Sequence, residues 1–102
     1  QVDCSNNFLT VKQKPFLTSG KIVDLILGEN LCKDIDQSII KAKYFAKLAC
    51  IDNVIEKFPG GYLQYIEEDG KSLSGGQMQR IAIANALSIK PSLLIYWLKN
   101  FE

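Results

Sequence analysis

The tetrapeptide Ser74-Gly75-Gly76-Gln77 is the feature that most constrains the fold of this chain, because it predicts where the longest helix begins. A serine followed three residues later by a glutamine is a capping box. In this motif the Ser74 hydroxyl accepts a hydrogen bond from the Gln77 amide, and the Gln77 side chain reaches back. We therefore expect a helix from Ser74 to about Ile89, closed by Pro91.

The same helix start has the features of an anion site. The first turn of a helix offers unpaired N–H groups and the positive end of the helix dipole. Gly75 and Gly76 carry no Cβ, so a bulky anion can approach their backbone closely. Together these features favour phosphate binding. From four residues alone, however, a capped helix with a glycine turn and no ligand is the simpler interpretation.

Most of the remaining chain is predicted to be helical. Three further helices are expected, over residues 22–27, 37–50 and 53–58. Ser19 is the predicted N-cap of the first helix and Gly28 its C-terminal stop. Asp36 is predicted to cap the second helix and Asp52 to start the third, which residues 59–61 end.

Short strands are predicted near both ends of the chain. Residues 8–11 are β-branched and aromatic, and residues 92–98 form an apolar run of strand length. Residues 62–66 are predicted to be extended or loop. The predicted fold class is therefore mostly α with short flanking strands.

Composition excludes several classes of function. Twelve basic and eleven acidic side chains leave a net charge of +1, too little to attract nucleic acid or an anionic membrane. No run approaches the roughly 18 apolar residues of a membrane span, and the N-terminus lacks a secretory signal, so a cytosolic location is expected. With no histidine and three widely spaced cysteines, the usual general base, most zinc sites and a disulfide framework are not expected.

The helix start and its surroundings resemble the ATP-binding cassette (ABC) of transporter ATPases. Residues 73–87 and 90–95 resemble the signature motif, its helix and the start of the Walker B strand. Residues 13–22 resemble the Q-loop of exporter-type cassettes, and residues 58–62 and 68–70 resemble the helical subdomain and the loop before the signature. The order and spacing match over about residues 11–95. The predicted fold is thus the helical subdomain and edges of an α/β cassette.

The resemblance divides the 102 residues into parts of one partial ABC ATPase domain. These parts are residues 1–18 (strand and Q-loop), 19–72 (helical subdomain), 73–90 (signature helix) and 91–102 (degenerate Walker B strand and tail). It also implies a function: an ATP-binding component that couples ATP hydrolysis to transmembrane export, on the cytoplasmic face of the membrane.

Site residues follow from the resemblance, position by position. Ser74, Gly75, Gly76 and Gln77 would contact the γ-phosphate of ATP in trans, because the signature of one cassette closes over nucleotide held by another. Gln13 matches the Q-loop glutamine, which meets Mg²⁺ or the attacking water. The implied cofactors are ATP and Mg²⁺, shared with a second cassette. The other implied partner is the transporter membrane domain, near Pro15, Phe16 and residues 67–69.

Three parts of an ATPase are missing from the sequence. Gly70-Lys71-Ser72 imitates the end of a phosphate loop, but the pattern G-x-x-x-x-G-K-S/T requires glycine where Tyr65 stands. The Walker B strand should end in Asp-Glu, and here it continues with Trp97-Leu98. The switch histidine is also absent. We therefore expect no ATP hydrolysis by the chain alone, and a truncated gene product or an engineered subdomain explains the pattern.

Two alternatives stay open at this point. In the first alternative to the ATP-binding function, the chain is a non-catalytic helical interaction module that binds a partner cassette or membrane domain without nucleotide. In the second, it is a degenerate remnant that does not fold stably. Met78 and Asn85 also depart from the residues usual in the family, although neither breaks the predicted helix.

Overall fold

The structure is a computed structural model that describes residues 19–68 and 72–101. Five α-helices account for most of these residues: α1 (Ile22–Leu27), α2 (Ile35–Leu48), α3 (Asp52–Lys57), α4 (Gly75–Ile89) and α5 (Pro91–Phe101). Two short strands, β1 (Gly20–Lys21) and β2 (Tyr65–Ile66), pair antiparallel. Single 3₁₀ turns follow α1 and precede β2. The predicted mostly α fold is confirmed, and it fits the helical part of an ABC cassette.

Helix α1 lies at the centre of the core. It is packed against both α2 and α4, and five of its six residues are buried: Ile22, Val23, Leu25, Ile26 and Leu27. A helix that is apolar on nearly all sides is stable only when its neighbours cover it. Each such side chain stabilises the fold by about 1.5–3 kcal/mol relative to an exposed one. Helices α2 and α4 therefore cover α1.

The bounds predicted for α1 are confirmed, but its predicted N-cap is wrong. Lys21 precedes the helix in extended geometry, whereas Ser19 was expected to cap it. The reason is tertiary: β1 pairs with β2, and the Ile22 amide donates to the carbonyl of Gln64 at 3.0 Å. Pairing with a distant strand therefore fixes where the helix begins. Gly28 ends α1, as predicted, with a φ of 58° that favours glycine.

Helix α2 begins two residues earlier than predicted. Its N-cap is Asp34, whose carboxylate accepts a hydrogen bond from the Asp36 amide at 2.9 Å, so the predicted cap at Asp36 is wrong. Both aspartates suit the position, and the one that reaches an unpaired first-turn amide becomes the cap. The helix then runs to Leu48 and not to Cys50, which has a positive φ of 61°.

The inner faces of α2 and α4 complete the core. On α2 the buried residues include Ala42, Phe45 and Ala46, with Ile39 partly buried beside them. On α4 they are Ile81, Ala84 and Leu87, at the spacing of three that places residues on one helix face. Helix α3 matches its prediction to within one residue and is joined to α2 by a Lys43–Glu56 salt bridge of 3.0 Å.

The strand predicted at residues 92–98 is wrong, because α5 occupies this segment. A strand is stable only when it pairs with another, and the described residues contain no strands besides β1 and β2, which pair with each other. Proline is well tolerated at the first position of a helix, and Pro91 begins α5. Leu93, Leu94 and Trp97 then pack against the core. The strand predicted at residues 8–11 lies outside the described residues.

Within the described part of the chain, no single helix is long and apolar enough to cross a membrane. Helices α4 and α5 reach that length and composition only as a pair, and they are bent by 117° at the break between them.

Candidate functional site

Both hydrogen bonds of the predicted capping box are present at the start of α4. The Ser74 hydroxyl accepts from the Gln77 amide at 3.1 Å, and the Gln77 side-chain oxygen accepts from the Ser74 amide at 3.0 Å. Ser74 has the extended backbone of an N-cap residue, with φ −70° and ψ 166°. The first turn of α4 is therefore held by its own side chains, next to Leu73, which is buried in the core.

Two amides of this turn remain available to a ligand. Among the residues that the structure describes, no acceptor pairs with the amides of Gly75 and Gly76. Both glycines are exposed, and a Cβ added at either would meet nothing within 4 Å. The space over these amides is therefore open, and the dipole of the 15-residue helix makes it electropositive. This arrangement fits an anion such as a phosphate group.

Ser74 adds a third donor to this surface. Its oxygen already accepts from the Gln77 amide, so its own hydroxyl hydrogen is not used within the capping box. Ser74 is exposed, and an anion over the helix start lies within reach of that hydrogen. Ser74, Gly75 and Gly76 can therefore donate together, while Gln77 holds Ser74 in place.

Three polar side chains of α4 fix how this helix is seated. Arg80 donates to the carbonyl of Ala49 at 3.1 Å, just after the end of α2. Asn85 and Ser88 both donate to the carbonyl of Ile26, at 3.1 and 2.8 Å, in the last turn of α1. Carbonyls at helix ends lack partners within their own helix, so these bonds satisfy them. Sequence reasoning missed this role, since nothing local shows which distant helix ends α4 meets.

A shallow depression borders the helix start. Its volume is about 330 Å³, and it is lined by Ile66, Glu67, Glu68, Leu73, Ser74, Gly75 and Met78. Buried Ile66 and Leu73 lie on its apolar side, and Met78, one of the family departures, lies there too. Ser74 and Gly75 therefore lie at the edge of a depression whose lining also includes Glu67 and Glu68.

Tyr62 carries a buried polar atom that lies outside this site. Its side chain is 6% exposed, and its hydroxyl has no hydrogen-bond partner among the described residues. Burial raises the pKa of Tyr62 above its ordinary value, and the nearby carboxylates of Asp52 and Glu56 raise it further. The phenol therefore remains protonated and acts as a core side chain.

Other predicted site residues lie outside the described part of the chain. These are Gln13, Pro15, Phe16 and Asp69. No group of three acidic or thiol side chains within residues 19–68 and 72–101 is arranged to hold a metal ion.

Comparison with known proteins identifies a family. A family model described as ABC transporter matches residues 1–96. Multidrug resistance protein 1 of Plasmodium falciparum is 40% identical over 94 residues, which cover 91% of this chain and 6% of that protein. The chloroplastic ABC transporter B family member 29 of Arabidopsis thaliana is 44% identical over 85 residues, covering 83% and 13%. ABC transporter B family member 1 of Dictyostelium discoideum is 42% identical over 85 residues, covering 83% and 9%.

These matches define how much of a transporter the chain represents. The chain spans between 6% and 13% of the length of the three relatives just named. No solved structure matches it significantly.

Proposed function

This chain belongs to the ABC transporter family and corresponds to part of its ATP-binding domain, and from that premise we propose that residues 74–77 contact the γ-phosphate of ATP held by a second cassette. The observation that carries the proposal is the open, donor-rich start of α4. Two unpaired glycine amides, one serine hydroxyl and the helix dipole point to the same space.

Each residue of the start of α4 has its own part in this contact. Gly75 and Gly76 donate backbone N–H groups and, lacking Cβ, allow the phosphate oxygens to reach hydrogen-bond distance. Ser74 donates its hydroxyl, and Gln77 keeps Ser74 oriented through the capping box. When bound, ATP supplies the bond whose hydrolysis drives transport. The donors of this chain offset the negative charge on the phosphate.

The proposed site requires a second cassette, because the resemblance implies that the signature of one cassette closes over nucleotide held by another. Residues 1–102 contain no G-x-x-x-x-G-K-S/T pattern and no Asp-Glu pair after Ile95. The second cassette is proposed to provide the phosphate loop and the catalytic carboxylate that meet this signature. Gln13 is proposed to contact Mg²⁺ or the attacking water at the nucleotide site of its own cassette. The chain alone is expected to show no ATP turnover.

The second proposed partner is the membrane domain of an exporter. Residues 67–69 are proposed to meet it together with Pro15 and Phe16, and of these residues Glu67 and Glu68 line the depression beside α4. The apolar lining of the depression, formed by Ile66, Leu73 and Met78, suits an apolar side chain of the membrane domain. This proposal places the chain on the cytoplasmic face of a membrane. We also propose that the chain consists of the four parts that the resemblance implies, residues 1–18, 19–72, 73–90 and 91–102.

Nucleotide dependence tests the proposal. The probe is a complete cassette, taken from the Arabidopsis relative, in which glutamine replaces the catalytic glutamate so that ATP is bound and not consumed. Binding of the chain to this cassette is measured with Mg²⁺ and ATP, with ADP, and without nucleotide. Tight binding that requires ATP supports the signature contact. Equal binding in all three conditions favours the alternative function, a non-catalytic interaction module that binds a partner cassette without nucleotide.

A further inference from the structure

Arg80 is the one charged residue among the 15 of helix α4. It lies four residues after Gly76, so the two positions are neighbours on the helix surface. Its guanidinium is directed toward another helix, because Nη1 donates to the carbonyl of Ala49 at 3.1 Å in a partly buried hydrogen bond. Of the three side chains of α4 that bond to other helix ends, Arg80 is therefore the nearest to the proposed phosphate donors.

The end of α2, to which Arg80 bonds, is a turn that the backbone itself closes. The Cys50 amide donates to the Lys47 carbonyl at 3.1 Å, and the Ile51 amide donates to the Ala46 carbonyl at 2.9 Å. Cys50 has a φ of 61°, in the left-handed region that favours glycine and commonly ends a helix. Arg80 therefore bonds to a closed turn, and its positive charge also suits the negative end of the α2 dipole.

The position of Arg80 along α4 gives its bond a different effect from that of Asn85. Each residue advances a helix by about 1.5 Å, so Asn85 lies about 15 Å from Gly75 and Arg80 about 7.5 Å from it. A tilt of α4 by about 4° about Asn85 would move the Gly75 amide by about 1 Å. The lengths of N–H···O hydrogen bonds vary by only about 0.5 Å. Apolar contacts such as those of Ile81 have no preferred direction, so the Arg80 bond adds a directional restraint close to the donors.

We propose that Arg80 is a positioning residue for the phosphate contact, because it holds the first turn of α4 in the direction that the Gly75 and Gly76 amides need to reach the phosphate. The inference rests on the proposed function of residues 74–77. Arg80 acts through Ala49 and does not itself touch the nucleotide, since its guanidinium is directed to the end of α2. A displacement of Ala49 therefore changes the direction of the glycine amides.

Three substitutions separate positioning from stability. Arg80→Met keeps a long side chain but removes the donor and the charge. Arg80→Lys restores a cationic donor, and a single carbonyl can accept from it without the planar fork of arginine. Trp97→Phe is the matched control, because the Trp97 indole donates at 3.0 Å to the carbonyl of Leu48, the residue before Ala49. This bond comes from α5, which carries none of the proposed donors.

Affinity for the complete cassette with bound ATP is measured at low and at high salt, at a temperature at which circular dichroism shows every variant to be folded. Both Arg80→Met and Trp97→Phe should lower the melting temperature, but only Arg80→Met should weaken ATP-dependent binding, by about tenfold or more. Arg80→Lys should recover most of the affinity. The loss in Arg80→Met should be equal at both salt concentrations, because the effect of a charge acting directly on the phosphate would be screened as salt rises.

The amide NMR signals of Gly75 and Gly76 in the chain alone give a second readout that needs no cassette. They should shift in Arg80→Met, return toward their wild-type positions in Arg80→Lys, and stay unchanged in Trp97→Phe. Wild-type affinity in Arg80→Met, an equal loss in Trp97→Phe, a loss that disappears at high salt, or unshifted glycine signals would each overturn the role of Arg80. A wild-type chain without ATP-dependent binding would instead refute the proposed function, and this inference with it.

Discussion

Replacement of Gly76 by valine separates the stability of the start of α4 from its proposed use in binding. A Cβ at Gly76 meets nothing within 4 Å, and the residue does not have the positive φ that a valine would strain. In the isolated chain the substitution therefore creates no clash. The valine side chain instead fills the open space in which the proposed phosphate lies.

The two effects of Gly76→Val have opposite signs. Glycine disfavours a helix by about 0.8–1.0 kcal/mol relative to alanine and valine by less, so the variant gains a few tenths of a kcal/mol. That gain raises the melting temperature by about 1–3 °C in a chain of this size. Binding loses at least one hydrogen bond from a backbone amide to the charged phosphate, and such a bond is worth about 1.5–3 kcal/mol. This loss weakens ATP-dependent binding by about tenfold to more than a hundredfold.

Two measurements on the same protein preparations give the result. Thermal unfolding reports the stability of the chain, and titration against the ATP-loaded cassette reports its affinity. Gln79→Val is the control, because Gln79 is exposed on the same helix beyond the proposed contact. Gly76→Ala is expected to give a smaller loss of affinity than Gly76→Val. A Gly76→Val chain that is as stable as the wild type and binds the ATP-loaded cassette equally well would refute the proposed contact.

Three further substitutions test features of the fold. Ser74→Ala removes the capping box and should lower the free energy of unfolding by about 1 kcal/mol in a denaturant titration; no change would show that α4 does not need its cap. Trp97→Phe keeps a ring but removes the hydrogen bond to the Leu48 carbonyl, and should reduce stability by about 0.5–1.5 kcal/mol at low protein concentration; a larger loss would mean that packing of the indole dominates. Tyr62→Phe removes a buried hydroxyl without a partner among the described residues, so the free energy of unfolding at neutral pH should be unchanged or slightly higher. The raised pKa of Tyr62 means that the folded chain keeps this proton where the unfolded chain loses it. Wild-type stability should therefore fall as the pH rises above the ordinary tyrosine pKa of 10.0, and the Tyr62 contribution to that fall should be absent from Tyr62→Phe.

The start of α4 could be predicted from the sequence because it depends on local interactions. Ser74 and Gln77 are three residues apart, and each satisfies a backbone amide of the other, so no distant residue is needed. Helix α1 was predicted for a similar reason, since its apolar run and Gly28 define both its burial and its end. The end of α1 and the start of α4 are therefore bounds that neighbouring residues determine.

The wrong predictions involve competition between local signals and tertiary structure. Ser19 is a suitable cap, yet Gly20 and Lys21 pair with β2, and Lys21 takes the N-cap position of α1. Asp34 and Asp36 are equally suitable caps, and only the fold shows which of them reaches a free amide. Residues 92–98 favour a strand on composition, but no unpaired strand among the described residues can accept them. Sequence patterns predict what a segment can form, and its neighbours decide which form is stable.

The orientation of the proposed site depends on residues that no local pattern identifies. Asn85 is ten residues after Gly75, and its bond to the Ile26 carbonyl joins α4 to the end of α1. A Cβ at Gly28 would lie 3.6 Å from the Asn85 side-chain nitrogen, and Gly28 has the positive φ that ends α1. The Asn85 side chain therefore packs beside the turn that ends α1. The donors Gly75 and Gly76 lie at the other end of α4. The packing of Asn85 beside Gly28 therefore helps to set the direction in which the Gly75 and Gly76 amides point.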